Sequence, residues 1–245
     1  MTPTRIRHAA AGDVLGLAGG VDLPGGRTVA APRLVQHLET GSSGEGNSQT
    51  VDLPGGLTVG NFLLLIAWAD SGLDTPAGWS TPNTSLGRAM IFYREVDGTE
   101  PDSVDLTGTD FSAMATVLEY AGVDLVHPFG VGGLTLNPDT GLPADFLEGD
   151  LTYSLTPPAP AYTVAEDGTL LIELLTTNHS SAEGDITAAP AGSTLRVNLY
   201  DPACNGSLAV ADRQAKAGVV AAGHWTRTGA GPFVQVPVRF GLKAA

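Results

Sequence analysis

The sequence predicts an all-β chain: a jelly-roll-like β-sandwich with two related halves, preceded by an irregular Gly-rich N-terminal arm. Three observations predict it. The 245 residues include 32 glycines and 17 prolines, which interrupt helices and supply tight turns. The apolar stretches are short and bounded by turn signals, as strands are. Short stretches of the first half also recur in the second. The expected division is residues 1–50 as an arm and turn repeat that docks on a partner, and residues 51–245 as the sandwich.

In chain order, Met1 to Gly20 has a basic start and small residues, like a secretion signal, but Asp13 and the glycines at 12, 16, 19 and 20 interrupt its apolar stretch. Val21-Asp22-Leu23-Pro24-Gly25-Gly26-Arg27-Thr28-Val29 recurs as Val51-Asp52-Leu53-Pro54-Gly55-Gly56-Leu57-Thr58-Val59. Pro fixes one φ and Gly allows positive φ, so each copy reads as strand, tight turn, strand. No Lys follows the glycines, so neither copy is a phosphate loop.

Phe62 to Ala69 is a continuous apolar run between Gly60 and Asp70, short enough to be a strand buried on both faces. Ala89 to Arg94 is rich in β-formers and ends near Asp97-Gly98, a turn signal. Val104 to Thr107 and Met114 to Tyr120 continue the series. From Pro128 to Pro160 the chain is looser, and its Pro157-Pro158-Ala159-Pro160 cluster cannot join the interior of a sheet. Strands resume at Leu170–Leu175, Leu195–Leu199, Leu208–Ala211, Val219–His224 and Phe233–Phe240. The last alternates Val234, Val236, Val238 and Phe240 against Phe233, Gln235, Pro237 and Arg239, the mark of one buried face.

The internal similarity pairs Gly60-Asn61-Phe62-Leu63-Leu64 with Gly168-Thr169-Leu170-Leu171-Ile172. It also pairs Thr75-Pro76-Ala77-Gly78-Trp79 with Ala189-Pro190-Ala191-Gly192-Ser193, and Gly87-Arg88-Ala89-Met90 with Gly206-Ser207-Leu208-Ala209. Two related halves of four strands each follow from it. Trp68, inside the apolar run, belongs to the core. Trp79 reads as a plug at one end of the sandwich, with a sugar-stacking platform as the alternative. Trp225, between His224 and Thr226, is the tryptophan expected at the surface.

Charge and chemistry exclude several function classes. The net charge is −14, yet residues 1–33 carry Arg5, Arg7, Arg27 and Arg33 against only Asp13 and Asp22, so the acidity lies in the body. An acidic body repels a phosphate backbone, which disfavours nucleic acid as a partner. Lys216 and Lys243 are the only lysines, so there is no polybasic membrane patch, and no apolar run approaches the roughly 20 residues of a membrane-spanning helix. Cys204 is the only cysteine, which excludes an internal disulfide framework and a multi-Cys zinc site. It has an acid nearby and no Lys, Arg or His beside it, so nothing marks it as a nucleophile.

No G-x-S-x-G, G-x-x-x-x-G-K or H-E-x-x-H occurs, and His8, His37, His127, His179 and His224 lack metal-ligand spacing. Acid pairs of glycosidase type, Asp70 with Asp74 or Glu148 with Asp150, have no supporting motif. Asp70, Asp74, Asp139 and Asp145 do not form a calcium loop pattern. The sequons at Asn83, Asn178 and Asn205 match a short, unspecific pattern. No catalytic residue, metal site or cofactor is expected.

Val59-Gly60-Asn61-Phe62-Leu63-Leu64-Leu65, Thr75-Pro76-Ala77-Gly78-Trp79, Met90 to Arg94 and Asp97-Gly98-Thr99-Glu100-Pro101 carry a resemblance. So do Leu118-Glu119-Tyr120-Ala121-Gly122-Val123-Asp124, Glu166-Asp167-Gly168-Thr169-Leu170-Leu171 and Leu208-Ala209-Val210-Ala211-Asp212-Arg213-Gln214. Together they resemble a recurrent β-sandwich module of tailed-bacteriophage structural proteins and related bacterial surface proteins, over about residues 50–130 and 160–242. The resemblance implies a non-enzymatic virion protein, a capsid decoration, cement or head-fibre subunit. Its partners would be capsid or other virion proteins and further copies of itself, with no membrane or nucleic acid. On this reading Arg5, Arg7, Arg27 and Arg33 dock the arm on an acidic or neighbouring subunit. The alternative is a glycan- or receptor-binding module of a tail fibre or bacterial surface protein, with Trp225 or Trp79 as the stacking residue.

Overall fold

The computed structural model describes residues 20–22, 28–41, 46–69, 72–82, 89–129, 147–148, 158–159, 161–178, 186–201, 206–227 and 234–245. Within them the chain is strand and turn, without helix. The first strands are β1 (Gly20–Asp22), β2 (Thr28–Ala30), β3 (Arg33–Thr40), β4 (Gly46–Asp52) and β5 (Phe62–Ala69). Then come β6 (Ala89–Glu95), β7 (Ser103–Phe111), β8 (Ala113–Ala121), β9 (Leu147–Glu148) and β10 (Pro158–Ala159). β11 (Tyr162–Val164), β12 (Thr169–Asn178), β13 (Ile186–Ala188), β14 (Thr194–Asp201) and β15 (Gly206–Ala215) follow. The series closes with β16 (Gly218–Val220), β17 (Gly223–His224), β18 (Thr226–Arg227) and β19 (Val234–Leu242).

Two main antiparallel sheets hold most of the strand residues described, one ordered β3-β8-β5-β6 and the other β14-β15-β12-β19-β9. Strand side chains alternate between faces, and here both faces of each main sheet carry apolar clusters. Phe62, Leu64, Ile66 and Trp68 of β5 share one core with Ile172 and Leu174 of β12, Val210 of β15 and Phe240 of β19. That core lies between the two sheets. The other face of β5, Leu63, Leu65, Ala67 and Ala69, is covered by Val51 and Leu53 and by Val104 and Leu106, from the β4–β7 ribbon and its flank. The outer face of the second sheet is covered by three smaller ribbons, β11–β16, β10–β17 and β13–β18. Double coverage explains why β5 is buried at every position. Each fully buried Leu, Ile or Phe contributes about 1.5–3 kcal/mol, so the interior strands dominate stability.

The main sheets approach closely where Trp68 meets Gly206. A Cβ on Gly206 would stand 2.6 Å from the indole, so only glycine admits the ring there. At one end of the inter-sheet core Phe62 stacks on Tyr93, and Phe129 sets its edge against Phe62, Tyr93 and Phe240. The loop carrying Phe129 is tied to the C-terminus: Asp124 N–H donates to Lys243 O and Lys243 N–H to Pro128 O, both at 2.9 Å.

Several expectations change. Residues 33–50, expected within the arm, include β3 and most of β4, which pair along β8 and β7. Their polar composition hides this, because β3 is an edge strand with one apolar side. The first Pro-Gly-Gly copy is flanked by a hairpin, with Val21 opposite Val29. In the second copy Val51 and Asp52 pair with β7, and Leu57 to Val59 form no strand. There the Thr58 N–H is captured by the Glu119 carboxylate at 2.9 Å. Val219 to His224 divides into β16 and β17, which pair with different partners, β11 and β10. The polar face of β19 is covered too, since Arg239 is completely buried. Pro158 and Ala159 sit in a separate two-residue ribbon outside the main sheets. The rest of the Pro128–Pro160 stretch, beyond Phe129 and β9, lies outside the described residues.

Gly206→Ala should lower stability by about 1–3 kcal/mol through overpacking against Trp68. Gly55→Ala, where a Cβ meets nothing within 4 Å, should stay within about 0.5 kcal/mol of the parent. Urea unfolding of both variants checks the pair.

Candidate functional site

Of the four arginines expected to dock, Arg33 is described: it opens β3 opposite Ala121 and is exposed. Arg5, Arg7 and Arg27 lie outside the described residues. β3 is the outermost strand of its sheet, and among the described residues no strand pairs with its far edge. Leu34 faces Tyr120 and Gln36 faces Glu119, leaving Val35 as the extra residue of a β-bulge. The bulge turns Val35 outward, 37% exposed. Arg33 and Val35 therefore present a charged and an apolar side chain at the β3 edge of the sheet.

Neither candidate stacking tryptophan is a platform. Trp79 lies in the core under the β4–β7 ribbon with Leu73, Met90 and Val96. The Pro76–Trp79 turn puts it there, with Gly78 at φ 78° and Trp79 N–H donating to Pro76 O at 3.1 Å, a type II turn. Trp225, expected at the surface, is fully buried against Leu175, Ala209 and Ala211. Its exposed neighbours His224 and Thr226 misled the expectation: in extended chain the residue between two outward side chains points inward.

The acids considered for hydrolysis or calcium binding are not assembled by the described structure. Asp74 is exposed and accepts from Thr107 Oγ1 at 3.3 Å. Asp70, Asp139, Asp145, Asp150 and Cys204 lie outside the described residues, as does the side chain of Glu148. His37 stands 3.9 Å from Glu39, and His127 stands 3.9 Å from Asp124. Among the described residues no three His, Cys, Asp or Glu side chains gather as metal ligands.

What sequence reasoning missed is a set of buried ionisable groups. On the outer face of the second sheet Glu173 and Arg239 face each other across β12 and β19 and form a completely buried ion pair. Ser193 Oγ–H donates to Glu173, Arg213 stands 3.7 Å away, and Arg239 Nη1 donates to Ala221 O at 2.9 Å. Burial pulls the Arg239 pKa down, against the pull of Glu173. Facing the inter-sheet core, Asp212 takes two contacts on one oxygen from Arg196, at 2.9 and 2.8 Å. Arg196 occupies the bulge position of β14, which aims it at Asp212. Burial still raises the Asp212 pKa, with Arg196 opposing and Glu173 adding to the rise. In the first sheet Glu119 is buried and has no cation beside it among the described residues; it accepts from Gln36, Asn61 and the Thr58 N–H at 2.6, 2.6 and 2.9 Å. The contrast between alternating side chains within β19 was the available signal for Arg239, because a charged residue between Pro237 and Gly241 offers little for solvent to keep.

At the opposite edge of the first sheet from β3, a depression of about 300 Å³ opens between β6, the Gly78 turn and the loop after β8. Phe62, Tyr93, Leu125, Ser80, Arg94, Glu95 and Asp97 line it. Arg94 is fixed by Glu100 at 3.0 Å, and Glu100 is fixed in turn by the N–H groups of Asp97 and Gly98. Hydrogen bonds from the Thr99 hydroxyl and N–H hold the Asp97 carboxyl below its usual range.

Comparison with protein-family models, with curated proteins and with solved structures gave no match. The functional reading therefore rests on the residues.

Arg239→Met should cost about 3–5 kcal/mol, because it strands the Glu173 charge in the interior. Converting both partners, Glu173→Leu with Arg239→Met, should recover most of that loss. A chemical-denaturation double-mutant cycle checks it; a double variant weaker than Arg239→Met alone contradicts it.

Proposed function

We propose that this chain is a non-enzymatic structural protein of a tailed-phage particle, a capsid decoration, cement or head-fibre subunit acting through protein–protein contacts. The observation that carries the reading is β3, whose far edge pairs with no strand among the described residues. It follows directly on the Arg-bearing N-terminal segment, and its bulge presents Arg33 and Val35 outward. A bulged edge discourages indiscriminate strand pairing, so the partner meets side chains rather than extending the sheet. The acidic body repels other acidic surfaces and keeps assembled particles apart. Coverage of both main sheets supplies a stiff block to carry that edge.

We infer further that the body is two related halves. Pairings repeat between them: Leu63 opposite Arg94 and Glu119 in the first sheet, Leu171 opposite Arg213 and Gly241 in the second. β4–β7 covers β6-β5-β8 as β11–β16 covers β15-β12-β19. Each half has a type II turn closed by a Gly with positive φ, Gly78 and Gly192, beside an arginine, Arg94 and Arg213. These correspondences favour a duplicated unit over a jelly-roll exchange of strands between sheets. In the second half Glu173 and Arg239 take the places of Leu65 and Val117.

The experiment is incorporation. Mass spectrometry of gradient-banded particles of a phage encoding this chain should find it in stoichiometric amount. A chain lacking residues 1–30 should fold with unchanged circular dichroism and fail to incorporate. Absence from the banded particles, or full incorporation of the shortened chain, contradicts the reading.

A further inference from the structure

We propose that Glu119 is an acid-sensitive latch on the bulged edge of the first sheet. The latch lies inside one chain, so it fails separately from the docking reading.

The geometry starts from the donors. Glu119 is completely buried on β8. Its Oε2 accepts from Gln36 Nε2 of β3 at 2.6 Å, and its Oε1 accepts from Asn61 Nδ2 at 2.6 Å and from the Thr58 N–H at 2.9 Å. One carboxylate therefore joins β8 to the edge strand and to the segment between β4 and β5. Gln36 follows the bulged Val35 and stands opposite Glu119, so its hold on the carboxylate fixes where the bulge ends. Gln36 Nε2 donates a second time, to Gly55 O at 3.2 Å, which ties the Pro-Gly-Gly turn to the same cluster.

Each of these partners is a donor, and that makes the cluster depend on charge. An ionised carboxylate only accepts, whereas a protonated one carries an O–H that donates. A proton on Oε2 meets the Gln36 amide nitrogen. Gln36 can receive it only by turning its amide, which sets its own oxygen against Gly55 O. A proton on Oε1 meets the Thr58 N–H, and a backbone N–H cannot turn. Either way a charge-assisted contact is lost. Thr58 is exposed and Gln36 half-buried, so the released donors turn outward to water. No second charge offsets the loss. The segment from Leu53 to Asn61 and strand β5 carry no ionisable side chain. His37 lies opposite Leu118, on the other face of the sheet. Arg33 stands opposite Ala121, two residues along β8, and is exposed. Arg94 of β6 lies beyond Leu63 and is held by Glu100 at 3.0 Å. Protonation of Glu119 thus frees Gln36 and Thr58, and the bulged edge loosens while the apolar cores stay closed.

NMR of the full chain, titrated from neutral pH to the onset of acid unfolding, is the test. The Glu119 carboxyl carbon and the Thr58 amide proton should move with one midpoint. Below it the exchange protection of the Thr58 amide should fall roughly tenfold, as loss of a hydrogen bond to a charged group implies, and the β3 amides bonded to β8 should follow. The amides of Gly60 and Val96, which donate to Val96 O and Asn61 O at 2.8 Å, should keep their protection. Glu119→Gln, which puts an NH₂ group where one oxygen stood, should show the weakened protection already at neutral pH. The proposal is overturned if Glu119 does not titrate before the whole chain unfolds, if Thr58 does not follow it, or if Glu119→Gln is protected like the parent. Should that variant fail to fold, the titration of the parent decides alone.

Discussion

The core shared by the two main sheets is the constraint on which the rest depends. β5 and β12 are each central in their sheets, and their inner faces meet through Ile66, Trp68, Ile172 and Leu174. Once those faces are joined, the outer faces still carry apolar side chains, and each requires a cover. The β4–β7 ribbon and the three small ribbons on the second sheet are those covers, and two-stranded ribbons are at best marginally stable by themselves. Order thus passes from the centre outward, from the inter-sheet core to the sheets, and from the sheets to the ribbons. The surface features, the bulged β3 edge and the depression at β6, sit at the two margins of one sheet and inherit its rigidity.

The two main sheets solve the outer-face problem differently. Around Leu65 and Val117 the first sheet uses hydrocarbon, and it keeps its buried carboxylate, Glu119, supplied by neutral donors. The second sheet pairs Glu173 with Arg239 across β12 and β19 and surrounds them with Ser193, Arg213 and the Ala221 carbonyl. Removing an ion pair from water rarely gains stability over a well-packed apolar pair. Its value here is positional: the side chains bind the Pro190–Ser193 turn and Ala221 to β12 and β19 at fixed register.

Strand positions were legible wherever a hydrophobic run met clear punctuation. Phe62–Ala69 coincides with β5, and Ala89–Arg94 falls one residue short of β6. Sheet membership was not legible, because pairing partners are set by contacts far apart in sequence. β3 escaped notice because its bulge at Val35 breaks the two-residue period. Trp225 was misplaced because the strands on either side have two residues each, too few for a period to show. For the sites, Arg33 was legible as a charge and not as an edge position. The depression at Tyr93 was invisible, since its walls come from residues 62, 78–80, 93–97 and 125 and only the fold brings them together.

Native-state hydrogen exchange tests the central claim most directly, because it measures the free energy at which each strand opens. If one core holds both sheets, the slowest amides of β5, β8, β12 and β15 should share a single opening free energy equal to that of global unfolding, with the small ribbons opening below it. Two distinct plateaus, one for each main sheet, would show that the sheets stand independently and would contradict the account.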